Sequence, residues 1–171
     1  MRLVDLGCRG INVYDIGVLR VLARLRAQGL IPSDVMFKTS SHCMPTNPML
    51  AQIFKENGAD SITTAHDLGL PVLQEMRRLA PGLVLDIPTD VYKSKGGFVR
   101  FYELAELVQT TAPMFLKMGA SAQGHPYEAV KESTIAERVR RVAVGLEHLE
   151  RNLTVKSRIS ASSQLRCVPK A

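Results

Sequence analysis

The sequence predicts an α/β fold: a parallel (β/α) barrel-like chain of about five βα units, a partial TIM barrel. Two observations carry this. Short apolar runs alternate with amphipathic stretches of ten or more residues from residue 10 to about 150. Strands separated by stretches of that length need crossover connections, which make the sheet parallel and its units right-handed. A short internal echo points the same way: Asp15-Ile16-Gly17 at the first strand–helix junction matches Asp67-Leu68-Gly69 two units later.

Residues 10–14 form the first strand, and 16–28 the first helix, with Val18, Val21, Leu22 and Leu25 at helical spacing and Gly29 ending it. Residues 34–40 read as the second strand. The loop between Pro45 and Pro48 starts a helix that buries Leu50, Ile53 and Phe54 and stops at Gly58. A third strand over 61–65 precedes a helix over 68–80, with Leu70, Leu73, Met76 and Leu79 on one side and Pro81-Gly82 as its break. The fourth strand, 83–87, leads through a loop rich in Lys and Gly to a helix over 102–111. The fifth strand covers 113–118. A long helix from about residue 127 to 150 carries Ile135, Val139, Val142, Leu146 and Leu149 on its apolar face.

The chain has 171 residues, 46% of them hydrophobic and 22% charged, which suits one globular domain rather than a disordered chain. Its net charge of +6 is unevenly placed. Five of the 22 Lys and Arg fall in residues 151–171, which hold no acid, so residues 1–150 are nearly neutral. The expected organisation is a barrel domain over 1–150 and a basic, disordered tail over 151–171, of a kind that also suits a truncated reading frame. That tail is the one feature suggesting nucleic acid; an aromatic share of 5% without Trp argues against a stacking surface for single strands. No apolar run is long enough for a membrane span, and the first ten residues lack a secretory pattern, so a cytoplasmic protein is expected. Cys8, Cys43 and Cys167 are scattered, with no CxxC pair and no zinc-like His spacing, so neither a metal nor an iron–sulfur site is expected within this chain.

In a (β/α) barrel the site lies at the C-terminal ends of the strands. Three charges stand in otherwise apolar strands there: Lys38 in VMFKTS, Asp86 in LVLDIP and Lys117 in MFLKMG. An unpaired buried ion costs on the order of several kcal/mol, so each should meet a partner or a ligand. They can form a structural ion pair or build an anion-binding or proton-transfer site. His66 follows the third strand. The segment Lys93-Ser94-Lys95-Gly96-Gly97-Phe98-Val99-Arg100 offers a second candidate: Gly96 and Gly97 let backbone amides approach an anion, and Lys95 and Arg100 add positive charge. His42 beside Cys43 is poorly arranged for a nucleophilic dyad, because neighbouring residues of an extended segment point to opposite sides.

The run Asn12-Val13-Tyr14-Asp15-Ile16-Gly17-Val18-Leu19, the triplet Gly58-Ala59-Asp60 before a strand, and His66-Asp67-Leu68-Gly69 resemble collagenase-like bacterial peptidases of unassigned catalytic type (peptidase family U, number thirty-two). Residues 93–103 and 113–121 resemble an uncharacterised branch of that group. The resemblance implies a TIM-barrel-like domain and a peptidase label, hence a hydrolase. Some relatives act in RNA hydroxylation with an iron–sulfur cluster, whose cysteines this chain lacks.

The expected function is an enzyme-like, peptidase-related barrel that binds or processes a small anionic or peptide ligand. Lys38, His66, Asp86 and Lys117 are its catalytic candidates, and Lys95, Gly96, Gly97 and Arg100 its ligand contacts. His66 or Asp86 would act as acid or base and the lysines would neutralise developing charge. The alternatives are a class I aldolase-like lyase with a Schiff base on Lys117 or Lys38, and a non-catalytic truncated barrel or interaction module. Five units leave open sheet edges, so pairing with a second copy or a complementary chain is expected.

Overall fold

The computed structural model describes residues 2–153. Elements follow in the order α1 (Arg2–Asp5), β1 (Gly10–Val13), α2 (Ile16–Ala27), β2 (Met36–Thr39), α3 (Pro48–Glu56), β3 (Ser61–Thr63), α4 (Leu70–Leu79), β4 (Val84–Pro88), α5 (Leu104–Thr111), β5 (Met114–Lys117) and α6 (Glu132–Asn152). The five strands form one sheet in the order β1-β2-β3-β4-β5, every neighbouring pair parallel. Helices α3 to α6 pack in chain order, each on the next. Sequential parallel strands with helices between them are the layout of part of a (β/α) barrel, as the periodicity predicts.

Local chemistry fixes the helix ends. The Asp15 carboxylate accepts from the Val18 amide at 2.9 Å to cap α2, and the Asn47 side chain accepts from the Leu50 amide at 3.0 Å ahead of Pro48 in α3. Gly58 ends α3 at φ 94°, and a Cβ there would stand 2.4 Å from the Ala23 Cβ, so only glycine lets this turn lie against α2.

One side of the sheet faces the helices. Val13, Phe37, Ile62, Leu85 and Ile87 point that way and join Leu19, Phe54, Leu73, Met76, Leu104 and Leu107 in one buried core. The register puts the alternate residues on the inner side: Asn12 beside Lys38, Lys38 beside Ser61, Thr63 beside Asp86, Asp86 beside Phe115, and Pro88 beside Lys117.

Three sequence expectations change. The last helix begins at Glu132, not near residue 127, because the chain first turns tightly: the Glu128 amide donates to the His125 carbonyl, and the Glu128 carboxylate accepts from the Gly124 amide. The apolar stripe of α6 is not uniformly buried: Gly145 and Leu149 are, while Ile135 and Val139 are exposed, since no further βα unit packs beside that end among the described residues. A short helix, α1, precedes β1 where none was expected. The tail expected from 151 onward lies, beyond Leu153, outside the described residues.

Candidate functional site

The inner side of the sheet ends in a cleft of about 380 Å³ at the C-terminal ends of the strands. Its floor is a three-strand constellation. The Lys38 ammonium of β2 pairs with the Asp86 carboxylate of β4, and the Thr63 hydroxyl of β3, between them, donates to the same carboxylate oxygen at 3.0 Å. The Asp86 side chain is 4% exposed and that of Lys38 is 38% exposed, so the carboxylate is the buried anchor and the lysine its reach into the cleft. Lys38 and Thr63 line the cleft and Asp86 stands behind them.

Lys117, at the end of β5, also lines the cleft, is exposed, and has no ion-pair partner among the described residues. Lys95 reaches it from the loop after β4, and His66 from the loop after β3, with its ring 5.6 Å from that of Phe98. Of the four catalytic candidates, then, Lys38, His66 and Lys117 converge on one cleft, and Asp86 holds Lys38 in place.

The second candidate segment divides. Lys95 takes part through its side chain only. The amides of residues 93–97 are already used: those of Lys93 and Ser94 donate to the Gln123 and Gly124 carbonyls, and those of Lys95, Gly96 and Gly97 close a 3₁₀ turn on Tyr92 and Lys93. Gly96 and Gly97 therefore serve the turn, at φ 94° and 63°, and offer no amide cradle. Arg100 is buried, its guanidinium spent on the Glu103 carboxylate and, at 2.8 Å, on the Leu68 carbonyl. It joins the loops after β3 and β4 and is not an anion contact.

Further lining residues, Asn12, Tyr14, Ser40, Tyr92 and Tyr127 among them, were not sequence-based site candidates. His42 lines the cleft too, its Nδ1 3.1 Å from the Ser40 hydroxyl, while the Cys43 thiol lies 3.7 Å from the Val13 carbonyl. Burial pushes the Cys43 thiol above its ordinary range, the reverse of what an activated nucleophile needs. Asp90, 1% exposed, is committed to structure: it accepts from the Ala120 amide at 2.8 Å and the Ser121 hydroxyl at 2.7 Å, and Ser121 accepts from Arg141 at 2.7 Å. This chain of bonds fixes the loop after β5 against the loop after β4.

Below the cleft, toward the N-terminal ends of the strands, the inner face holds an apolar groove of about 410 Å³ lined by Met36, Phe115 and Ser61 among others. Lys38 and Asn12 border both spaces. The Ser61 hydroxyl is buried there without a hydrogen-bond partner among the described residues.

Among the described residues, no group of three or more His, Cys, Asp or Glu side chains is placed to hold a metal ion, and no helix is long and apolar enough to cross a membrane. No protein-family model and no curated protein matches the chain, so its own geometry must carry the functional reading.

Proposed function

We propose that the strand ends form a binding site for a small anion, a carboxylate or phosphate or a peptide bearing one, in an enzyme-like barrel of the peptidase-related kind. The observation that supports this is the charge balance of the cleft. Asp86 and Asp90 accept from protein donors, whereas among the described residues Lys95 and Lys117 have no acidic partner, and Lys38 lines the cleft beside them. Cations gathered in one cleft, with the nearby acids engaged by protein donors, favour an anionic guest. If the bound molecule is processed, His66, one of two histidines lining the cleft, acts as acid or base, and Lys38 and Lys117 stabilise negative charge as it develops.

Calorimetric titration with inorganic phosphate and with acetate tests this. A hydrogen bond to a charged group contributes about 1.5–3 kcal/mol, so Lys117→Met should weaken binding about tenfold or more. Absence of binding by either anion at tens of millimolar overturns the proposal.

The outer edges of β1 and β5, unpaired among the described residues, support a second element of the reading, pairing with another copy of the chain. Exposed Val18 and Val21 lie on α2, which packs on β1, and exposed Ile135 and Val139 lie on α6, the last described helix. Light scattering that gives a monomer mass at all concentrations would refute it.

A further inference from the structure

We infer that the anion taken by this cleft carries a flat ring: an aromatic carboxylate or an aryl phosphate. The inference rests on the anion-binding reading above and adds the rest of the ligand. The chain has four tyrosines and no Trp, and three of the four, Tyr14, Tyr92 and Tyr127, line this one cleft. They come from three separate strand-end loops, after β1, β4 and β5. Tyr14 is 62% and Tyr127 82% exposed, so neither ring does much for the folded core. An exposed aromatic face gives up little on folding and gains most when another planar group covers it.

The rings are also held ready. Tyr14 leans on His42, with ring centres 5.7 Å apart, and its hydroxyl accepts from the Asn12 amide at 3.3 Å. Tyr127 leans on His125 at 5.1 Å. Tyr92 is steadied by Arg138, which donates to its hydroxyl at 3.3 Å and lies over its ring at 5.9 Å. Aromatic walls above a floor of Lys38 and Lys117 match a molecule with a planar body and a charged end. A ring sitting on Tyr14 or Tyr127 shares the cleft with the Lys38 and Lys117 side chains, which can take its carboxylate or phosphate. Aliphatic anions of the same charge would meet the floor and leave the walls uncovered.

The test is titration calorimetry with three carboxylates, acetate, cyclohexanecarboxylate and benzoate, and with inorganic and phenyl phosphate. Benzoate should bind about tenfold tighter than cyclohexanecarboxylate, a ratio set by planarity since the two are similar in size and charge. Phenyl phosphate should exceed inorganic phosphate similarly. In the Tyr14→Ala/Tyr127→Ala double variant the benzoate-to-cyclohexanecarboxylate ratio should fall to about one, because both rings are exposed and their loss leaves the fold intact. Tyr102→Ala, an exposed ring outside the cleft, should keep the full ratio. Should no anion bind at all, with or without a ring, the anion reading itself fails. Binding of acetate and phosphate without any preference for the flat ring overturns this inference alone. A preference that survives the double variant but is lost in Phe115→Ala would place the ring in the apolar groove and overturn the role given to the tyrosines.

Discussion

Replacing Lys38 should cost the fold more than replacing Asp86, although the two form one ion pair. The reason is their unequal burial. In Lys38→Met the Asp86 carboxylate, 4% exposed, keeps a single neutral donor, Thr63. Breaking a buried pair costs roughly 3–5 kcal/mol; because Lys38 is 38% exposed and water screens that side of the pair, about 2–3 kcal/mol is expected. In Asp86→Asn the ammonium turns into the cleft and recovers its hydration, and the new amide can still accept from Thr63, so about 1 kcal/mol should be lost. The double variant should resemble Asp86→Asn alone, a coupling of about 2 kcal/mol that a double-mutant cycle measures. Urea unfolding is the assay, with unchanged m-values confirming that the midpoints report stability. At about 2–4 °C per kcal/mol, Lys38→Met should melt roughly 4–12 °C lower than the parent. Phosphate binding supplies an independent check: Lys38→Met should weaken it and Asp86→Asn should not. Equal costs for the two single variants, or additive costs in the double, would refute the assignment of Asp86 as buried anchor.

Three other perturbations test the frame around the cleft. Gly58→Ala combines a left-handed backbone with a clash against Ala23, and should cost about 2–4 kcal/mol, whereas Gly82→Ala, at φ 82° in open space, should cost about 1–2 kcal/mol; thermal melts of the pair separate clash from backbone strain. Asp90→Ala strands the Ala120 amide and the Ser121 hydroxyl in a buried setting, so it should cost about 2–3 kcal/mol and speed hydrogen exchange at the Ala120 amide more than at amides of β2. Glu137 is held at about 2 by hydrogen bonds from Arg140 and Arg141, below the ordinary 4.5. A depressed carboxylate stabilises the fold above its ordinary value and loses that contribution as pH falls from about 4.5 to 2. NMR titration should show the Glu137 carboxyl changing with a midpoint near 2, and Glu137→Gln should remove that acid dependence from α6.

The alternation of strands and helices was legible because each element carries its own periodicity, and boundaries shifted mainly where turns intervened. Lys38 and Asp86 were legible for a different reason. A charge inside an apolar strand must be answered, and here the two answer each other across β3. Arg100 was misread because a basic residue after paired glycines looks like an anion contact. The Glu103 that claims it stands only three residues on, but the Leu68 carbonyl that completes its bonding is 32 residues back and cannot be found by pattern. The tyrosines were not read as site residues because each is single in its own loop. A chain-wide aromatic share of 5% says nothing about placement, and only the parallel order of strands gathers residues 14, 92 and 127 at one mouth. One signal was available: Tyr14 closes the predicted first strand at its C-terminal end, where barrel sites begin.

The register also explains why Lys38 can serve the cleft at all. It is level with Ser61 on β3, whereas Asp86 is level with Thr63, one pleat nearer the mouth and two strands away. Strands stand about 4.8 Å apart and two residues rise about 6.6 Å, so the lysine stem must slant across β3 and upward to meet the carboxylate. Small side chains at Ser61 and Thr63 leave that path open; a leucine at either position would occupy it. The slanted stem puts methylenes along the apolar groove and the ammonium at the floor of the polar cleft, which is why Lys38 borders both spaces. An ordinary strand residue thereby becomes the boundary between an apolar half and a charged half of the inner face. The charge faces the end of the sheet where the aromatic loops converge.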